Sequence, residues 1–118
     1  MNEINLDQLY ELLNQCCQPI NPKDKKMLIP TIESYLNMLE GWDVTLDYST
    51  ILKTFNFKNY HQTIAFVNAV TWIAHKEDHH PEICFGYNSC TIKLITHDIK
   101  GISLNDMIVA AKINQLLA

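Results

Sequence analysis

Histidines are the residues of this chain best suited to chemistry, because three of the five fall within six residues. These are His75, His79 and His80; Pro81 follows at once, and His97 lies sixteen residues after the proline. Imidazole exchanges protons near neutrality, with an unperturbed pKa of about 6.5, and it is also a common metal ligand. The grouping therefore indicates either acid–base catalysis or a metal site.

Composition limits the other classes of function. The chain has 118 residues, 47% of them apolar, which suits one domain with a single core. Its 13 acids and 9 bases give a net charge of −4 without long runs of either sign, so we expect no direct binding of nucleic acid or membrane. The start of the chain does not read as a signal peptide, and no stretch approaches the ~20 apolar residues of a spanning helix. We expect a soluble, cytoplasmic protein.

The four cysteines do not form a recognisable framework. Cys16, Cys17, Cys84 and Cys90 contain no Cys-x-x-Cys pair and no regular spacing, which disfavours a disulfide scaffold or a zinc knuckle. We expect free, mostly buried thiols.

Residues 1–29 are predicted to form an N-terminal arm, and residues 30–118 a single domain. Leucines at positions 6, 9, 12 and 13 favour a short helix in the arm, which the prolines at 19 and 22 prevent from continuing. We expect the arm to pack on the domain or to help pair subunits.

The domain is predicted to run helix, strand, strand, helix, strand, strand, helix. Pro30 begins the first helix, residues 42–56 alternate like a hairpin, two further strands cover 83–85 and 90–95, and Ser103 begins the last helix. This order predicts an α+β fold, a two-layer sandwich in which a strand-strand-helix unit repeats. Its four-stranded antiparallel sheet carries helices packed on one face.

The middle helix is predicted to be the most buried, because it is apolar around much of its circumference. Asn59 with Gln62 resembles a capping box at its start. Pro81 is expected to end it, since proline disfavours helical backbone at the residue before it. His75 and His79, four residues apart, are expected to share a face on its last turn.

Ordered motifs in residues 31–118 carry a family resemblance. They are Gly41-Trp42, Phe55-Asn56-Phe57-Lys58, Asp78-His79-His80-Pro81-Glu82, Tyr87-Asn88, Thr96-His97-Asp98, and Gly101-Ile102-Ser103 with Asp106. Together they resemble the pterin-4a-carbinolamine dehydratases, also called 4a-hydroxytetrahydrobiopterin dehydratases. One departure is His75, which stands where relatives often carry glutamate.

The resemblance implies removal of water from 4a-hydroxytetrahydrobiopterin to give quinonoid dihydrobiopterin. This reaction supports recycling of the cofactor of aromatic amino acid hydroxylases, which makes such a hydroxylase a candidate partner. The family requires neither a metal nor an organic cofactor. Its members form dimers or tetramers, so a homodimer or homotetramer is expected here.

The family's pattern also implies the site residues. His79, His80 and His97 are the expected catalytic set, with His79 and His97 sharing the acid and base roles, His80 helping to hold the pterin, and Asp106 orienting a histidine. The division between acid and base stays open. The expected pterin-binding residues are Asp78, His79, His80, Pro81, Thr96, His97, Asp98 and Ile99.

Three alternatives accompany these expectations. His75, His79 and His97 are the ligands of a candidate metal site, since histidines at i and i+4 of a helix are a common ligand pair. A non-catalytic interaction module is a second, because one animal branch of the family stabilises dimers of a homeodomain transcription factor. Ser103-x-x-Asp106 is also a capping box that needs no active site.

Overall fold

Eight helices and strands, with one short 3₁₀ turn, make up the part of the chain that the computed structural model describes, residues 6–118. Residues 1–5 of the predicted arm lie outside it. In chain order the elements are α1 Leu6–Asn14, α2 Ile29–Leu36, β1 Asp43–Val44, β2 Ile51–Asn56, α3 Tyr60–Glu77, β3 Glu82–Phe85, β4 Ser89–Leu94, the 3₁₀ turn His97–Ile99, and α4 Leu104–Gln115.

The sheet has the order β1-β2-β4-β3, and every neighbouring pair is antiparallel. Strand β4 shows why the helices cover one face: Cys90, Ile92 and Leu94 are buried, whereas the alternate residue Lys93 is exposed. Alternation of this kind belongs to an antiparallel sheet with one packed and one solvated face. The predicted α+β fold with a four-stranded antiparallel sheet is confirmed.

Aromatic side chains join the sheet to the helices. Phe55 of β2 lies 4.6 Å from Phe66 of α3 and 6.3 Å from Trp42, measured between ring centroids. The Trp42 indole donates a hydrogen bond of 2.9 Å to Oδ1 of Asn114 in α4, which satisfies its polar atom. These contacts hold β2, α3 and α4 in one core.

The most buried helix is α4, so the prediction that α3 holds this place is wrong. Eight of the twelve residues of α4 are buried, against five of eighteen in α3. Helix α4 packs against both α1 and α3, whereas α3 has an outer face on which Trp72 is 61% exposed. The arm forms the extra layer over α4. Its apolar pattern predicts that one face of α1 is buried, but not that this face packs on α4.

The arm packs on the domain, as one of its two predicted placements requires. Leu12 of α1 is buried in the core cluster, and α1 lies against α4.

All four cysteines are free thiols, as expected, but only Cys90 is buried; Cys16 and Cys84 are exposed. In the described part of the chain, no helix combines the length and the apolar character that crossing a membrane requires.

The packed face of β4 provides a test of the core. Ile92 is fully buried, so Ile92→Ala is expected to lower the free energy of unfolding by about 3 kcal/mol, through lost burial and a residual cavity. The neighbouring Lys93→Ala, on the solvated face, should change it by less than about 0.5 kcal/mol. Urea unfolding measures both; equal losses would contradict the assignment of the two faces.

Candidate active site

A left-handed residue at the end of α3 directs the histidine motif away from the helix. The helix ends at Glu77, and Asp78 follows with φ 50° and ψ 42°. The backbone N–H of His79 then donates to the carbonyl of Ala74, a closure typical of helix C-termini. The expectation that His75 and His79 share a helical face is therefore wrong, and the helix stops before Pro81 acts on it.

His79 is held by a buried carboxylate. Its Nε2 lies 2.6 Å from Oδ1 of Asp106, a residue with no exposed surface, and the His79 side chain is only 12% exposed. Because a carboxylate only accepts, the contact places a proton on Nε2. The other ring nitrogen, Nδ1, is then the atom of His79 available to a ligand.

Asp106 is itself oriented by the residues that precede it. Its Oδ2 accepts hydrogen bonds from the Thr96 hydroxyl at 2.8 Å and from the Ser103 backbone N–H at 2.9 Å. Ser103 and Asp106 form the predicted capping box of α4. The same carboxylate thus begins a helix and positions a histidine, so the structural and functional interpretations of Asp106 are compatible.

His97 stands in the 3₁₀ turn after β4. Thr96 pairs with Gly101 through two backbone hydrogen bonds, of 2.8 and 3.3 Å. These bonds close the loop of residues 97–100, of which His97 is the first. Lys100, at φ 51°, completes it in the left-handed region. This closure presents His97, which is exposed, beside the residues that follow α3.

A pocket of about 580 Å³ brings these segments together. Six predicted site residues line it, namely Asp78, His79, His80, Thr96, His97 and Asp98. Asp106 is buried and reaches the site through His79, and neither Pro81 nor Ile99 is among the lining residues. Among residues 6–118, no group of three or more His, Cys, Asp or Glu side chains is arranged to hold a metal ion.

The pocket also contains residues that sequence reasoning missed. Cys17, Gln18, Pro19 and Ile20 of the arm line it, together with Ile95, Lys76, Glu77 and Asn105. No local pattern marks the four arm residues; among the others, the one signal is the charge of Lys76 and Glu77 at the end of the apolar helix α3.

Glu77 links the arm to two helices. Its Oε1 accepts the backbone N–H of Cys17 at 2.8 Å, and its Oε2 lies 2.7 Å from Nζ of Lys112. Burial raises the pKa of the Glu77 carboxyl, but the hydrogen bonds from Lys112 and Cys17 outweigh it, so the net pKa is lowered. Burial, and next the charge of Glu77, raise the pKa of the Cys17 thiol to about 12.

The fold and pocket define an α+β protein with an imidazole-lined cleft between the end of α3 and the turn after β4. A family model described as pterin 4 alpha carbinolamine dehydratase matches residues 25–116. The chain belongs to this family.

Individual relatives agree with the family match. A protein of Hydrogenovibrio crunogenus, provisionally named a pterin-4-alpha-carbinolamine dehydratase, is 67% identical over 106 residues, covering 90% of this chain and 94% of the relative. A protein of Nitrosospira multiformis with the same provisional name is 46% identical, covering 90% and 92%. A crystal structure from Brucella melitensis, described as a transcriptional coactivator/pterin dehydratase, is 28% identical with a TM-score of 0.76, covering 80% of this chain and all of that one.

The His79 contact predicts one tautomer. In the neutral form of the ring, ¹⁵N NMR should show the proton of His79 on Nε2, because Asp106 accepts it. The exposed His61 is the internal reference and should show a solution-like mixture. A proton on Nδ1 of His79 would contradict the proposed orientation of the ring.

The lowered pKa of Glu77 predicts a dependence of stability on pH. A carboxyl whose folded pKa lies below its ordinary value of 4.5 stabilises the fold above that value, and this contribution is lost as pH falls through the folded pKa. Glu77→Gln is therefore expected to cost about 2 kcal/mol at neutral pH, and the difference from wild type should shrink below pH ~4.5.

Urea unfolding at a series of pH values measures this difference. Glu11→Gln, on the exposed side of α1, is the matched control and should follow the wild-type protein at every pH. A Glu77→Gln difference that does not change with pH would contradict the ionised pair.

Proposed function

We propose that this chain catalyses the dehydration of 4a-hydroxytetrahydrobiopterin to quinonoid dihydrobiopterin. The observation that carries the proposal is the His79–Asp106 pair, which aims one oriented imidazole into a pocket that His80 and His97 also line. Membership of the dehydratase family supports the substrate class.

The elimination requires one base and one acid. The N5–H bond and the C4a–O bond break, a C4a=N5 double bond forms, and the protonated hydroxyl leaves as water. We assign the base to His79, because Nδ1 is left free to accept the N5 proton and the Asp106 carboxylate balances the positive charge that the ring gains. His97 is then the acid that protonates the departing hydroxyl.

The remaining lining residues hold the substrate in this proposal. His80 and the backbone of His97 and Asp98 offer donors and acceptors to the polar edge of a pterin, whereas both backbone groups of Thr96 are bonded to Gly101; Asp78 lines the same pocket. Pro81 and Ile99, expected to bind substrate, act through the shape of their loops, since neither is among the lining residues. Proton transfer by oriented imidazoles needs no metal or organic cofactor.

The biological setting is part of the proposal. We propose that the reaction serves the recycling of a reduced pterin for an aromatic amino acid hydroxylase, and that it takes place in the cytoplasm. Assembly into a homodimer or homotetramer is supported by β3, an edge strand whose Phe85 is 42% exposed, because unpaired edges favour association. The net charge of −4 argues against direct contact with nucleic acid.

A non-catalytic interaction module is the second candidate. The Brucella melitensis structure, described as both transcriptional coactivator and pterin dehydratase, is the observation that favours it. Such a module does not need oriented imidazoles. Replacement of His79 and His97 should therefore abolish activity in a dehydratase and leave the function of an interaction module intact.

The test is the dehydration rate of freshly generated 4a-hydroxytetrahydrobiopterin, followed by ultraviolet absorbance. Wild type should accelerate the reaction, and His79→Ala and His97→Ala should each lower kcat by about 10²–10⁴-fold, the range for a lost general acid or base. His61→Ala, an exposed histidine in the first turn of α3, is the control and should retain full activity.

Circular dichroism should show that all three variants are folded. Unchanged turnover in a His79→Ala, His97→Ala double variant would refute the dehydratase mechanism and favour the interaction module.

A further inference from the structure

We infer that residues 17–20, here called the arm wall, form a substrate-positioning wall of the pocket and thereby set its affinity for reduced pterins. The inference rests on the proposed function, because it assigns a role within the same site. The arm wall precedes residue 25, where the family match begins, so it is an addition to the part of the pocket that the family model covers.

The first anchor of the arm wall is Asn105, in the first turn of α4. Its Oδ1 accepts the backbone N–H of Gln18 at 3.0 Å, and its Nδ2 donates to the Gln18 carbonyl at 2.7 Å. This pair of bonds uses both backbone groups of one residue, as a neighbouring strand would. Asn105 is buried, which makes the clamp costly to break.

The second anchor is the ion pair between Glu77 and Lys112. Glu77 accepts the Cys17 backbone N–H, and Lys112 donates a hydrogen bond of 2.7 Å to the carbonyl of Gln15. The Glu77 side chain is mostly buried, so its charge needs both partners. Because Glu77 lies two residues before His79, the arm wall and the histidine loop share one support.

The anchors also tie the arm wall to the proposed base. Asn105 holds Gln18, and the adjacent Asp106 holds His79, so two consecutive residues of α4 set the separation between arm wall and imidazole. Two hydrogen bonds on one side and a 2.6 Å contact on the other leave little freedom in that separation. The arm wall is therefore placed to limit how a flat ligand lies against His79.

The chemistry of the arm wall suits positioning rather than proton transfer. Pro19 and Ile20 are apolar, and the Gln18 side chain donates to the carbonyl of Cys16. The Cys17 thiol, with its raised pKa, stays neutral and points a weak hydrogen bond at the Asn105 carbonyl. Since the imidazoles must approach C4a and N5, the arm wall contacts other parts of the pterin.

Two substitutions test the arm wall by the split between KM and kcat. Ile20→Ala removes apolar surface and leaves the docking bonds intact, whereas Asn105→Ala releases the clamp on Gln18. Each is expected to raise KM about tenfold, which corresponds to the loss of contacts worth about two buried methylene groups. The value of kcat and its pH profile should stay within about twofold. The profile is unaffected because no titrating group of the proposed reaction is changed.

Asn114→Ala is the matched control. Asn114 also lies on α4 and also makes side-chain hydrogen bonds, but to Trp42, Lys53 and the Glu40 carbonyl rather than to the arm. It should leave KM unchanged. If Asn105→Ala fails to fold, Ile20→Ala carries the test, since it disturbs no hydrogen bond.

Calorimetric binding of 7,8-dihydrobiopterin separates this inference from the proposed function. Binding by wild type that weakens about tenfold in both variants would support the arm wall even if no dehydration were observed. Wild-type turnover with unchanged KM and Kd in both variants would overturn the arm wall and leave the dehydratase intact. A fall in kcat at constant KM would also overturn it, and absence of both turnover and pterin binding by wild type would overturn both proposals.

Discussion

The buried carboxylate of Asp106 is the constraint on which the rest of the site depends. A carboxylate removed from water costs several kcal/mol unless hydrogen bonds surround it, and here Thr96, Ser103 and His79 supply them. These three donors come from the end of the sheet, the start of α4 and the loop after α3. Satisfying this carboxylate therefore ties His79, 27 positions earlier in the chain, to the segment that runs from Thr96 to Asp106, and the pocket lies beside that junction.

Helix α4 is the common reference for both sides of the pocket. It is the most buried helix because the arm covers it from outside and α3 packs beside it. A helix enclosed in this way has little room to shift, since protein interiors are close-packed. Groups attached to its first turn inherit that rigidity, which is the preorganisation that proton transfer requires. Helix α3, with an exposed outer face, could not supply the same reference.

The fold was largely predictable from local patterns, and the site only in part. Strand alternation, helix periodicity and the capping residues Asn59 and Ser103 act over a few residues, so the order of elements and the sheet followed from the sequence. The end of α3 did not, because Pro81 is a stronger signal than the left-handed backbone of Asp78. The arm's part in the pocket was hidden for another reason: Cys17 meets Glu77 across 60 positions, and Gln18 meets Asn105 across 87. No local periodicity reports such pairings.

The backbone conformation of Asp78 bears on how this position varies among related chains. A residue at φ 50° is strained for β-branched side chains and comfortable for glycine, asparagine and aspartate. The choice of residue at position 78 is therefore constrained first by the backbone geometry of the turn that leads to His79, and only second by any contact with a ligand. Replacement by glycine or asparagine in a homologue preserves that geometry, whereas valine or isoleucine would shift the histidine loop. Because glycine and asparagine satisfy the same backbone geometry, an aspartate kept here during divergence would mark a demand on its carboxylate in addition to the shape of the main chain.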